Sequence, residues 1–151
     1  MKINLNEYNV EVSTPAPFTG GTGNTRGDKD GALTSMTLFK VKGEVMARVY
    51  GVCTTTIVGA GTLEVGVAGN TALLIAQVAD ATTIAAGDRY IDASVAEVGG
   101  FAALPTGAII GRDIIETSGT ADLTAGDMYY VCLWYPITEN GNVKAVVSRV
   151  N

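Results

Sequence analysis

In "LFKVKGEVMARVYGVC", residues 38 to 53, Phe39, Val41, Val45, Ala47 and Val49 share one parity, while Lys40, Lys42, Glu44 and Arg48 share the other. A repeat of two is the repeat of a β-strand, whose side chains alternate between faces, so this spacing predicts one long half-buried strand with a wet face that runs on through Cys53. Outward from it the theme recurs in shorter pieces. Leu63, Val65 and Val67 alternate with Thr62, Glu64 and Gly66, and "AGNT" at 68 to 71 supplies a hairpin turn into residues 72 to 78. Further strands are predicted over 89–93, 108–116, 128–137 and 143–150. The last two are joined by "TENGN", where Asn140 and Gly141 suit positive backbone dihedrals. Residues 2–12 alternate weakly and read as one more strand. Strands of this length with turn signals roughly every ten residues predict an all-β fold, an antiparallel β-sandwich that is jelly-roll-like. Phe39, Val41, Val45, Val49, Leu63, Val65 and Val67 are its expected core, and a short helix is expected only around 73–81 or 95–103.

Residues 13 to 35, "STPAPFTGGTGNTRGDKDGALTS", break the pattern, being rich in Gly, Thr, Pro and Asp and almost without periodicity. The chain therefore divides into an N-terminal strand with an extended N-terminal arm, 1–35, and a β-sandwich domain, 36–151. The arm is too long and too polar to be an economical internal loop. It is expected to be mobile in the free protein and to become ordered along a neighbouring subunit, with Phe18 as its apolar anchor and Arg26 and Lys29 open to proteases. Three motifs lie in it. "GGTGNTRG" at 20–27 has the glycines of a phosphate loop but neither its closing lysine nor a strand-to-helix context. "RGD" at 26–28 is read as a chance tripeptide. "DKDG" at 28–31 lacks the later ligands of a calcium loop and is read as a solvated turn.

The chemistry of the remainder is sparse. At 151 residues the chain can form a single core without cross-links. Its net charge of −5, with Lys and Arg scattered singly, provides no footprint for nucleic acid. It contains no histidine, which removes the commonest neutral-pH base and the commonest zinc ligand. No catalytic residue, metal ligand or cofactor site is assigned, and the protein is expected not to be an enzyme. Cys53 and Cys132 lie in apolar strand segments and are expected as buried free thiols. The N-terminus has no secretory pattern and no run is long enough to span a membrane, so synthesis in the cytoplasm is expected.

Two phrases repeat: "IAAGDRYI" at 84–91 and "LTAGDMYY" at 123–130. Asp88 and Asp127 could be paired carboxylates, but Ala-Gly-Asp before a strand is a turn signal, and both are read as turns. The strongest functional signal is "MYYVCLWYPI" at 128–137, in which Tyr129, Val131, Leu133 and Tyr135 share one parity and Met128, Tyr130, Cys132 and Trp134 the other. A sandwich strand needs one apolar face, so the second is expected to be covered by the arm or by another subunit. Tyr129, Tyr130, Trp134 and Tyr135 are the candidate oligomer interface.

Over residues 36–138, "MTLFKVKGEVMARVYGVCTTTIVGAGTLEVGVAGNTALLIAQ", "TTIAAGDRYIDAS" and "LTAGDMYYVCLWYPIT" together resemble small virion structural proteins of tailed bacteriophages, particularly capsid decoration or cement proteins. The resemblance implies a non-enzymatic β-fold, often a homotrimer, that binds the outside of the assembled head and locks neighbouring copies of the major capsid protein. It implies a place on the virion surface and carries over no individual functional residue. The alternative is a carbohydrate- or receptor-binding β-sandwich module of a phage tail or fibre, with Tyr50, Tyr90 or Trp134 stacking on sugars.

Overall fold

The structure is a computed structural model that describes residues 8–94, 97–98 and 104–146. Its strands are β1 (Asn9–Ser13), β2 (Ser35–Lys42), β3 (Val45–Val58), β4 (Thr62–Val67), β5 (Asn70–Val78), β6 (Asp88–Tyr90), β7 (Glu97–Val98), β8 (Gly107–Ile110), β9 (Ile114–Gly119), β10 (Ala125–Pro136) and β11 (Asn142–Ala145). They form two antiparallel sheets. The front sheet runs β1-β10-β3-β6-β7, with β8 also paired to β3, and the back sheet runs β11-β2-β9-β4-β5. The fold is thus an all-β, antiparallel sandwich, as the alternation predicts. Among the described residues the one helical element is a 3₁₀ turn, Ala81–Thr83, capped by the Asp80 side chain. The helix expected over 73–81 is replaced by the end of β5 and this turn, because Leu74, Ile75 and Val78 each find the sandwich core from an extended backbone. The second expected helix, 95–103, and the end of the last expected strand fall largely outside the described residues.

The opening stretch holds two strands, not one. β2 belongs to the back sheet and β3 to the front, with Gly43 at the corner between them. Gly43 has a φ of 63°, and a Cβ there would collide with Thr138, Asn140 and Gly141. Val41 and Val45 are four residues apart, so the corner preserves parity and leaves the alternation intact. Phe39, Val45, Val49, Leu63 and Val65 are fully buried, Val67 nearly so, and Val41 packs at the margin. The Ala68-Gly69 hairpin forms as read, with Val67 opposite Asn70 and Gly69 at a φ of 92°. The 138–142 loop differs: it connects β10 in front to β11 behind. Its Thr138 hydroxyl accepts from the Glu44 N–H at 2.9 Å, and the positive φ expected at Asn140 and Gly141 does not occur.

The segment between β1 and β2 also departs from expectation. It folds back on its own chain and closes one end of the sandwich. The Phe18 N–H donates to Gly126 O at 2.9 Å, Gly20 N–H to Leu123 O at 2.8 Å, and Leu123 N–H to Gly27 O at 2.8 Å. Phe18 is 1% exposed and belongs to the core. It anchors the arm to its own domain, which corrects the expectation that it would dock on a neighbour.

Candidate functional site

Two inward-facing acidic and basic groups explain the fold of the arm. Arg26 and Glu116 are each 3% exposed and form a two-pronged ion pair, Nε to Oε1 at 2.9 Å and Nη2 to Oε2 at 2.7 Å. Arg26 Nη1 donates to Ala16 O and Met128 O, the Tyr130 hydroxyl donates to Glu116 Oε2 at 2.7 Å, and the Phe18 ring lies 3.9 Å beneath the guanidinium. A buried charge is tolerable only when paired and hydrogen-bonded, and Arg26 has its counter-charge and four hydrogen bonds. Burial alone would lower the Arg26 pKa, but the charge and hydrogen bonds of Glu116 outweigh it and hold it raised. Burial pushes the Tyr130 hydroxyl well above its ordinary value, so it stays a donor. The cluster ties arm, β9 and β10 together.

The arm motifs resolve in the same way. Gly21, Gly23, Asn24 and Gly27 all have positive φ, and the loop they make wraps the chain's own Asp28. That carboxylate accepts from Thr25 N–H at 2.8 Å and from Gly21 N–H, and these bonds hold its pKa below the usual range. The glycine-rich turn therefore cradles an internal anion. With Arg26 and Asp28 both 3% exposed, the tripeptide at 26–28 is closed to a receptor. Lys29 and Asp30 are exposed, as expected of a turn, though Asp28 is not.

Asp88 closes the turn read there and opens β6: its N–H donates to Ala85 O and its Oδ2 accepts from Ala85 N–H at 2.8 Å, after Gly87 with a φ of 95°. Asp127 follows Gly126, whose φ is 111°, but lies at an irregularity within β10 instead of in a turn. The two phrases flank the same end of β3, since Gly87 N–H donates to Cys53 O and Asp127 pairs with Thr55. Ile84 and Leu123, their first residues, are fully buried. The phrases are packing units. Cys53 and Cys132 are free and buried, and burial pushes their thiols up to about 11 and about 12. Neither is a nucleophile at neutral pH.

What remains is the outside of the front sheet. Pairing with β1 and β3 sets Met128, Tyr130, Cys132 and Trp134 inward and Tyr129, Val131, Leu133 and Tyr135 outward. Tyr130 is 0% and Trp134 8% exposed, so both are core residues and leave the candidate interface. The indole N–H of Trp134 has no acceptor among the described residues. Tyr129 and Tyr135 stay on the half-exposed outer face. There they are joined by Val10 and Val12 of β1, by Met46, Tyr50 and Val52 of β3, and by Ile109 of β8. Val10 is 59% and Ile109 58% exposed, one at each margin. Tyr8 stacks edge-on against Tyr135 with ring centroids 5.4 Å apart, and its hydroxyl accepts from Arg48 Nε at 3.3 Å. The arm lies elsewhere. The face is interrupted at its middle by Arg48, which stands opposite Leu133 and donates to the Tyr8 hydroxyl and to Pro105 O, and Val52 and Val131 are each only 8% exposed. Around that point its side chains are apolar, the composition of many contact surfaces.

Sequence reasoning found the surplus of apolar residues on β10 but could not tell which parity was which. It read Arg26 as open to proteases, where the structure buries it, and gave Glu116 no role, because a lone Arg in a polar run carries no signal of burial. Compared with family models, with characterised proteins and with solved structures, the chain gives no match.

Proposed function

We propose that this chain is a non-enzymatic structural protein of a tailed-phage particle, a capsid decoration or cement protein that binds the outside of the head through the outer face of its front sheet. The observation that carries the reading is the apolar, aromatic face formed by β1, β10, β3 and β8. Arg26, Glu116, Tyr130, Cys53 and Cys132 are by contrast buried. The strand order supports this reading: β1-β10-β3 with β6 and β8 in front, against β2-β9-β4-β5 behind, is compatible with jelly-roll wrapping with β11 added. In this role the chain is homo-oligomeric. Each copy covers a junction between major capsid protein subunits, and repetition over a shell turns modest single contacts into tight binding.

The test is pelleting of the purified chain with empty tailed-phage capsids, beside the Leu133→Glu variant. The native chain should pellet and the variant remain in solution. Retention of the native chain on a host polysaccharide column, without pelleting, would favour the carbohydrate-binding alternative. Of the aromatics that alternative would use, Tyr90 and Trp134 are buried and Tyr50 alone lies on the outer face.

A further inference from the structure

We propose that β1 is a symmetric pairing edge at which a second copy of this chain adds its own β1 antiparallel, extending the front sheet across a two-fold axis. The inference deepens the assembly reading above, and rests on it, by naming the first partner of that surface.

The sheet edges differ in how they are defended. Soluble β proteins block edges with short strands, charges, prolines or bulges. Opposite β5 the register is interrupted twice, between Leu63 and Val65 and again between Val65 and Val67. β11 carries an exposed Lys144, and its Ala145 N–H is taken by Glu11 Oε2 at 3.3 Å. At the far side of the front sheet β6, β7 and β8 are only three, two and four residues long. β1 has fewer of these defences: among the described residues it is a short strand with one charged side chain, Glu11, turned toward Ala145 of the back sheet. Its five residues pair with β10 in unbroken register and include no lysine or proline. They present Val10 and Val12, 59% and 45% exposed, side by side.

The segment is also complementary to itself, as a two-fold joint requires. Centring the pair on Glu11 would set two carboxylates directly opposite, which is unfavourable. Centring it on Val10 sets Val10 against Val10, Tyr8 against Val12 and Asn9 against Glu11. That register gives an aromatic–β-branched pair on the outer side and an amide facing a carboxylate on the inner side. It also merges two front faces into one apolar surface. The result is a dimer in place of the trimer that the resemblance implies.

Sedimentation equilibrium or native mass measurement of the full chain at micromolar concentration should give twice the 15.6 kDa of one chain. Val10→Lys should reduce this to a single chain with an unchanged far-ultraviolet spectrum, whereas Ile109→Lys, on the opposite margin of the same face, should leave it paired. Directly opposed residues in an antiparallel pair lie about 4.5–5.5 Å apart at Cα, within reach of a disulfide. Val10→Cys should therefore form a covalent dimer on mild oxidation. The native chain, with both thiols buried, should not, and this readout stands even if Val10→Lys fails to fold. A native monomer or trimer would overturn the proposal, as would cross-linking of Val12→Cys ahead of Val10→Cys or dissociation by Ile109→Lys. Capsid pelleting is scored separately: a dimer that does not pellet removes the decoration role alone, and a monomer that pellets removes the two-fold joint alone.

Discussion

The front and back sheets share one core between their inner faces, yet their outer faces differ in composition. Behind, Lys40 and Lys42 of β2 line up with Lys144 and Asn142 of β11. Glu64 accepts from the Thr71 hydroxyl and the Gln77 amide, and the hydroxyls of Ser35 and Thr117 meet at 3.1 Å. In front, the same positions of the pleat hold Tyr129, Leu133, Tyr135, Met46 and Tyr50, with Arg48 the one charged side chain among them. An antiparallel sheet with one solvated face reads as alternation, as β2 does from Phe39 to Lys42, whereas a sheet covered on both sides reads as a continuous apolar run, as β10 does. The difference is what the assembly proposal rests on.

The sharpest way to break this comparison is to exchange the parities of one strand. Tyr130→Glu places an unpaired charge in the core, removes a large side chain and sets a second carboxylate beside Glu116. It should destabilise by about 5 kcal/mol or more, enough to unfold many domains of this size. Tyr129→Glu, one residue away on the outer face, should leave the melting of the isolated chain within about 1 kcal/mol of native and abolish capsid pelleting. Thermal denaturation of both variants distinguishes them. Equal losses of stability would mean that the front face is internal after all.

The legibility of this molecule in its sequence follows from which signals are periodic. Strand alternation is periodic, so β2, β3, β4, β5 and β10 could be read, and with them most of the core. A corner that conserves parity is silent, and for that reason 38–53 read as one strand while Gly43 was the only hint of a turn. Burial of a single charged group is not periodic at all. Arg26 lies in a run of Gly, Thr and Asp, and its partner Glu116 is ninety residues away, so the arm looked mobile when it is in fact locked. The apolar surplus on β10 was visible, but deciding its inner parity required knowing that Tyr130 meets Glu116 and that Cys132 and Trp134 lie opposite Val49 and Ala47.

The lock itself supplies the next expected effect. Glu116→Leu leaves the Arg26 guanidinium buried without its counter-charge and should cost about 3–5 kcal/mol in urea unfolding. Adding Arg26→Met should restore most of that loss, because a buried ion pair replaced by apolar groups of similar volume is often neutral. Trypsin should then cut the single variant in the arm while sparing the native chain and the double variant. If the single variant is as stable as native, the pair is not what holds the arm, and the end of the sandwich must be closed by Phe18 and the backbone bonds alone.

A smaller effect is expected at Gly51, which pairs with Tyr130 on one side and Tyr90 on the other. A Cβ at this position would lie 2.7 Å from Met128 Sδ and 3.1 Å from Tyr130 Cε1. Gly51→Ala should therefore cost about 1–3 kcal/mol, moderated by the flexibility of the methionine. The inner face of the front sheet is filled to its limit here. An unchanged melting temperature would show that it has slack.

The smallest effect belongs to the charged back face. Lys40 and Asp113 form an ion pair at 2.9 Å with side chains 67% and 33% exposed, so Lys40→Ala should change stability by no more than about 1 kcal/mol and by less in molar salt. Asp113 itself is more firmly placed. Partial burial works to raise its pKa, but the hydrogen bond from Val41 N–H at 2.9 Å and the bond and charge of Lys40 prevail, and the pKa is lowered from 3.8. A carboxylate depressed on folding contributes stability that is present above its unfolded pKa and is lost as pH falls through the folded one. Stability from Asp113 is therefore intact at neutral pH and lost only below 3.8. Acid titration of unfolding should show a shallower loss in Asp113→Asn than in the native chain over that range. Lys40→Ala should retain most of the native loss, since the Val41 N–H remains. If Lys40→Ala instead abolished the acid limb, the lysines of the back face would be holding the sheet together instead of keeping it solvated, and the division of labour between the two outer faces would fail.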